Sequence, residues 1–352
     1  MITLSRNKTS KLLITSFLTL VFLLMNLPGA NAQDHAEEAE DHGDAVEEFN
    51  PSETIVHHVL DDHIWHFFDG HYGTLYLPII AYSSEKGLDV FSSKNFYDDH
   101  HNLVEYKGYS LEHGLSLVDS HNSSVLDLSI TKNVATLLIN GLILILVFRA
   151  VANGYKKNKG KAPKGVQAVF EPVIVFLRDE VIKPNIGAHY EKYFPYLLTL
   201  FFFILFGNII GLLPGAANMT GNIAVTLVMA LFTFVITNVK GNKGYWGHIF
   251  SPPGVPMVLK PLIVLVEIIG IFTKPISLTV RLFVAITAGH IVMLSLISLA
   301  FIFGSVAVGA ASSLIVLFIN LIEILVAFIQ AYVFTMFSAL YIGLSTAEAE
   351  HH

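Results

Sequence analysis

Five long apolar stretches, at roughly 133–151, 194–214, 222–239, 271–303 and 307–345, dominate the second half of the chain. At 1.5 Å per helical residue each reaches across a hydrocarbon core of about 30 Å, so five transmembrane helices are predicted. The last two are longer than a crossing requires and must tilt steeply or project into water. Between the third and fourth, "VPMVLKPLIVLVEIIGIF" is apolar but broken by Pro256, Lys260, Pro261 and Glu267, a pattern that predicts an interfacial or re-entrant helix. Ahead of the first span, "GTLYLPIIAYS" and "SVLDLSI" alternate weakly and carry β-formers, which predicts a few short strands. The expected fold class is therefore an all-α polytopic membrane protein of about five transmembrane helices, with an interfacial helix and a small exported N-terminal region.

The front of the chain has a different character. Arg6, Lys8 and Lys11 precede an apolar run from Leu12 to Leu27, and "ANA" before Gln33 supplies a small-residue cleavage site. Residues 1–32 read as a signal peptide. A retained membrane helix is the alternative, and a run of this length is short for one. Residues 33–130 form an exported acidic, His-rich region. Its opening "DHAEEAEDHGDAVEEF" is too charged to bury a core and is expected to be disordered. His63 and His66 lie three apart near Asp61 and Asp62, a spacing that zinc accepts. A solvated His-rich segment explains the same residues, and no metal or cofactor is assigned. Residues 131–346 make the membrane domain and 347–352 a short tail.

Composition sharpens these assignments. The chain is 53% hydrophobic and 14% charged, too apolar for a soluble protein of 352 residues. Its mean hydropathy is +0.59. Cysteine is absent, which removes disulfides and thiolate chemistry. A net charge of −7 offers no basic field for nucleic acid. The one near match to a phosphate loop, "GYKKNKGKA", has the wrong spacing and lacks the closing Ser or Thr. Neither HExxH nor GxSxG occurs, so no hydrolytic site is read.

Lys and Arg placement orients the spans. Arg149, Lys156, Lys157, Lys159, Lys161 and Lys164 follow span one, and Lys240, Lys243 and Lys260 follow span three. Those loops are assigned to the cytoplasm. The uncharged "PGAANMTGN" and "GSVAVGAASS" face outside. The N-terminus is then exported and the C-terminus cytoplasmic.

Across 275–347 the only residues of the Asp, Glu, Lys, Arg and His types are Arg281, His290 and Glu323. An arginine at mid-membrane costs ~2.5–3.5 kcal/mol on insertion scales, so such a residue normally faces a bundle interior or a wet cavity. Lys274, nearer the span's end, is expected to snorkel. Glu323 and Gln330, seven apart, share one helical face. An antiparallel pairing that levels Arg281 with Gln330 brings His290 and Glu323 to similar depth. Nine residues also turn His290 half a revolution away from the arginine, so only crossed, curved helices let both serve one pathway. A buried, mutually satisfied His–Glu pair without transport is the alternative.

The segments "KPISLTVRLFVAITAGH" and "NLIEILVAFIQAYVF" resemble subunit a of F-type ATP synthases, the stator subunit beside the rotating c-ring. "FGNIIGLLPGAANMTGNIAVTLVMAL" resembles that family's earlier segment, including Asn208 and the Leu213–Pro214 turn. The likeness covers roughly residues 130 to 346. It implies that the last two spans lie tilted against the c-ring and that Arg281 is the essential arginine, with Gln330 as its polar neighbour. It implies that Glu323 and His290 line the outer half-channel, a pair swapped relative to many bacterial members. Ser277 and Glu267 match positions of the inner half-channel. Ala285 stands where the family usually carries Asn.

By that resemblance the protein is a non-catalytic, proton-translocating subunit of a bacterial inner-membrane complex. Its expected partners are the c-ring, the b-subunit peripheral stalk, the other synthase subunits and the bilayer. Two other classes are distinguishable. A secondary transporter would use the arginine for an anionic substrate, but neither a repeated half nor paired broken helices is found. A metal-supplying membrane protein would be built on residues 33–122.

Overall fold

A computed structural model describes residues 61–66, 73–83, 86–98, 103–112, 116–119, 125–213, 215–252 and 254–347. The signal peptide, the acidic leader, Pro214 and most of the C-terminal tail lie outside them. The chain divides into two compact units: Met1–Lys132 with Leu213–Ala217, and Asn133–Leu212 with Asn218–His352.

The first unit is built from β1 (Ile64–His66), β2 (Thr74–Tyr76), β3 (Pro78–Ser83), β4 (Gly87–Ser92), β5 (Tyr109–Glu112), β6 (Ser116–Asp119) and β7 (Val125–Asp127). β1 pairs with β2 and β5 with β6, while β3 is central in the antiparallel order β4–β3–β7. Alternation along β3 and β4 sends Ile79, Ala81 and Phe91 inward, where they pack with Phe96, Tyr109, Leu111 and Leu117. The buried His63 holds Asp127 at 3.1 Å. Trp65 Nε1 donates to Gly215 O at 2.7 Å, which ties the 213–217 loop into this unit. The expected short strands are therefore present. Among the described residues no three His, Asp or Glu side chains gather as metal ligands.

The second unit is helical. Its elements are α1 (Lys132–Lys157), α2 (Val166–Phe176), α3 (Lys183–Ile186), α4 (Tyr190–Gly211), α5 (Ile223–Val239), α6 (Lys243–Phe250), α7 (Lys260–Phe303) and α8 (Val306–Thr346). Among the described residues four helical stretches are long and apolar enough to cross a membrane, or five when α5 and α6, bent by 96°, count as one. At 44 and 41 residues, α7 and α8 are about 66 and 62 Å long, twice a hydrocarbon core.

Two boundaries differ from the reading of the sequence. The separate helix expected over 255–272 is absent, because residues from Lys260 onward begin α7. Pro261, which reads as a break, sits in that helix's first turn, where a missing N–H costs nothing. The short helix of the region is α6 instead, capped by Asn242, whose Oδ1 accepts from Tyr245 N at 2.7 Å.

The second difference is the helical stretch ahead of span two, where no element was expected. α2 passes through a π-helical turn at Leu177–Ile182 into α3. Pro184 explains the widened turn, since its ring crowds the carbonyl four residues back and offers no N–H. Gly187, at φ 77°, then reverses the chain into α4. Phe170 of α2 packs on Phe148, Phe202 and Phe206, while Leu177, Val181 and Ile182 join the main core.

α8 packs through small residues at every fourth position: Ala327, Ala331, Thr335, Ala339 and Gly343 are all buried. Small side chains let helix backbones approach closely where no hydrophobic drive exists in lipid. At Gly343 the neighbour is the backbone of Asn185 and Ile186, leaving no room for a side-chain carbon. Thr233 joins α5 to α8 through Ser338 at 3.1 Å and to α4 through the Tyr196 hydroxyl at 2.8 Å.

Candidate functional site

Polar side chains in the apolar wall of α7 and α8 fall into two layers. On α8, Glu323, Gln330 and Phe337 recur at seven-residue steps and so share one face. On α7, Arg281 and His290 flank the buried stripe of Leu278, Leu282 and Ile286 from opposite sides.

In the first layer His290 Nδ1 lies 4.0 Å from Glu323 Oε2. His290 Nε2 is 3.0 Å from the Gly211 carbonyl, which only accepts, so Nε2 carries a hydrogen and donates it. In the neutral ring Nδ1 is then the basic nitrogen, and it faces the carboxylate. Glu323 is 7% exposed, yet neither carboxylate oxygen has a hydrogen-bond partner, and His290 Nδ1 and Thr287 Oγ1 are likewise buried and unpartnered. At 4.0 Å the two side chains do not hydrogen-bond each other directly. Leaving one buried polar group unpaired costs roughly 1–3 kcal/mol, and the His290 and Glu323 atoms face each other. Such a cluster suits hydrogen-bonding water, which bridges gaps of this size.

Gly289 makes the layer fit. A side-chain carbon there would overlap Glu323 Oε1, so the acid packs against bare backbone. Asn208 braces the neighbouring turn: its Nδ2 donates to Ala327 O at 3.4 Å and its Oδ1 accepts from Thr220 Oγ1 at 2.8 Å. Asn208 is 1% exposed, and its amide is committed to holding α4, the Met219–Gly221 turn and α8 together.

In the second layer the Arg281 guanidinium lies over the Phe337 ring, 4.3 Å from its centroid. It has no hydrogen bond or ion pair among the described residues. No hydrogen bond joins it to Gln330, the expected polar neighbour, which lies two turns from Phe337 on the same face of α8. The cause is side-chain direction. Helical Cα–Cβ bonds lean toward the N-terminus, so Arg281 reaches back along α7 and meets α8 farther toward its C-terminus. The guanidinium is left with a π face, which attracts a cation without neutralising it.

Toward the α7 N-terminus, Lys274 sits between the Tyr245 and Tyr341 rings, at 5.8 and 5.4 Å. It borders a small cleft of about 10 Å³, close to the room one water needs, that is also lined by Thr233, Thr237 and Asn238. Glu267, Lys274 and Arg281 follow one another at seven-residue steps. Ser277, one turn from Arg281, is half-buried like Glu267. The structure does not bring either into hydrogen bonding with the arginine.

Gly289, Thr287, the Gly211 carbonyl and Phe337 were not singled out from the sequence. Gly289 stands immediately before His290, but its role is set by what α8 places against it.

Comparison with known proteins adds a second line. The family model described as ATP synthase A chain matches residues 134–343. A model described as a domain of unknown function (DUF8433) matches residues 54–135. The chain is 39% identical over 369 residues to ATP synthase subunit a of Chloroherpeton thalassium, covering 100% of this chain and 97% of that one. It is 40% identical over 325 residues to ATP synthase subunit a 2 of Chlorobaculum tepidum, with 90% and 79% covered. Against ATP synthase subunit a of Myxococcus xanthus it is 46% identical over 235 residues, with 64% and 76% covered.

Proposed function

The chain belongs to the ATP synthase A chain family, and on that footing we propose how its two polar layers carry protons. It is the proton-translocating stator subunit of the membrane sector of an F-type ATP synthase, a multi-pass membrane protein.

Two aqueous half-channels approach Arg281 from opposite sides without joining. Glu323 and His290 serve the outer one, exchanging protons with its water through Nδ1 and the carboxylate oxygens. Ser277, Glu267 and the cleft beside Lys274 serve the inner one, Gln330 keeps the wall near the arginine polar, and Asn208 holds Glu323's helix in place. A rotor carboxylate enters lipid only when neutral, since a bare charge there costs too much. Beside Arg281 it ionises, because an adjacent cation favours the charged form. The same cation repels protons that would otherwise cross directly. Each charge moved down 100 mV releases about 2.3 kcal/mol, so several must pass for each ATP.

The observation carrying this reading is the group of buried, unpartnered polar atoms at Glu323, His290 and Thr287. Within the same reading, residues 1–32 are a cleaved signal peptide, 33–130 an exported region, 131–346 the membrane domain and 347–352 a cytoplasmic tail. The N-terminus is periplasmic and the membrane is the bacterial inner membrane, supported by the alternation of basic and uncharged loops. The immediate partners are the c-ring, against which α7 and α8 lie tilted, and the b-subunit stalk.

The test is Arg281→Ala in energised vesicles. ATP synthesis is expected to vanish while passive proton leak rises. Retained coupled synthesis overturns the assignment.

A further inference from the structure

The exported unit carries an apolar sheet face for which proton transfer has no use. Alternation in β4–β3–β7 buries Ile79, Ala81 and Phe91 on one side. On the other side stand Ile80, Tyr82, Leu88, Val90, Leu126 and Leu128, and the last five are 49% to 64% exposed. The register makes them one patch: Tyr82 pairs with both Leu88 and Leu126, Ile80 pairs with Val90, and Leu128 N donates to Ile80 O at 2.9 Å. An exposed patch of this kind marks a contact with protein or membrane.

Three observations choose between those. First, the face carries no charge among the described residues. Asp89 and Asp127, the acids of β4 and β7, occupy alternate positions and are held by Tyr109, Lys107 and His63 on the other side. A protein partner would find no ion-pairing group to select it, whereas an interfacial lipid layer needs none, and Tyr82 offers the amphipathic ring such layers favour. Second, the face is tethered. Leu128 lies four residues before Lys132, where α1 begins, which limits their separation to about 14 Å. Leu213–Ala217, also part of this unit, starts two residues after α4 ends. Third, the segment that carries exposed Leu126 and Leu128 leads in sequence straight into α1, which is long and apolar enough to cross a membrane.

We propose that this face of the β4–β3–β7 sheet seats the exported unit on the bilayer surface, in the leaflet where α1 begins.

The test exploits the absence of cysteine from the chain. Val90→Cys and Leu126→Cys, both exposed positions, would each carry an environment-sensitive fluorophore. The control is Glu105→Cys, exposed beside Tyr106, whose ring packs on Phe91 from the core side. Full-length protein is reconstituted in phosphatidylcholine–phosphatidylglycerol vesicles, and the assembled complex is measured alongside. Lipids spin-labelled near the headgroup should quench positions 90 and 126 at least about two-fold more than position 105, and aqueous iodide should show the reverse order. Equal iodide quenching at all three positions places the face in water and overturns the proposal. Shielding of 90 and 126 from both quenchers overturns it in favour of a protein partner or a second copy.

Discussion

Glu323 rests its carboxylate on the bare backbone of Gly289, in the space a side-chain carbon would fill. Gly289→Ala should therefore displace the acid while leaving α7 helical. ATP-driven proton pumping is expected to fall roughly tenfold, the effect of about 1.4 kcal/mol on the transfer barrier. Membrane insertion and assembly should persist. Normal pumping by that variant, read from acridine-dye quenching in vesicles, would show that the packing has no part in transport.

Asn208 and Thr220 form one buried hydrogen-bonded unit, so their losses should not add. Asn208→Ala and Thr220→Val should each destabilise the purified subunit by roughly 1–3 kcal/mol, and the double variant by little more than the worse single. Thermal melting in detergent measures this. Full additivity would mean that the two side chains act separately.

Phe337 gives Arg281 its ring contact, 4.3 Å away, worth about 0.5–2 kcal/mol in a partly desolvated place. Phe337→Leu should lower ATP synthesis a few-fold without opening a proton leak, because the cation itself remains. A leak equal to that of Arg281→Ala would show that the ring, not the charge, blocks passage.

In the β-rich unit, burial works to raise the Asp127 carboxyl, but hydrogen bonds from His63 and Ser129 outweigh it and hold the group below the usual carboxylate range. A lowered folded value means that the bonds stabilise fully above the ordinary range and are lost as pH falls through the lowered one. Amide-exchange protection at β1 and β7 in the full-length chain should thus decline only in acid. Asp127→Asn should lose on the order of 1 kcal/mol at neutral pH. Unchanged protection at neutral pH would remove the pair from the unit's stability.

Much of this architecture is legible in the residues, and the failures have physical causes. Long uninterrupted apolar runs announce the spans. Antiparallel register places His290 opposite Glu323 because both side chains are short and stay near their own depth. The same register says less about Arg281, whose long side chain leans along its helix to the Phe337 ring. α2 and α3 escape notice because Glu171, Arg178, Asp179, Glu180 and Lys183 break up the apolar signal of a helix that packs by one face only. Pro261 misleads for the opposite reason, since its meaning depends on whether it opens a helix or interrupts one. No spacing rule marks Gly289, because its importance lies in what a partner helix puts against it.

The lengths of α7 and α8 have a geometric outcome for the motor. Were a 66 Å helix held wholly within a 30 Å layer it would incline by about 60° from the normal, and the ~13 Å along α7 between Arg281 and His290 would become about 11 Å of sideways offset and only half as much height. On the proposed function, proton entry at His290 and the barrier at Arg281 are then separated chiefly along the membrane plane rather than through it.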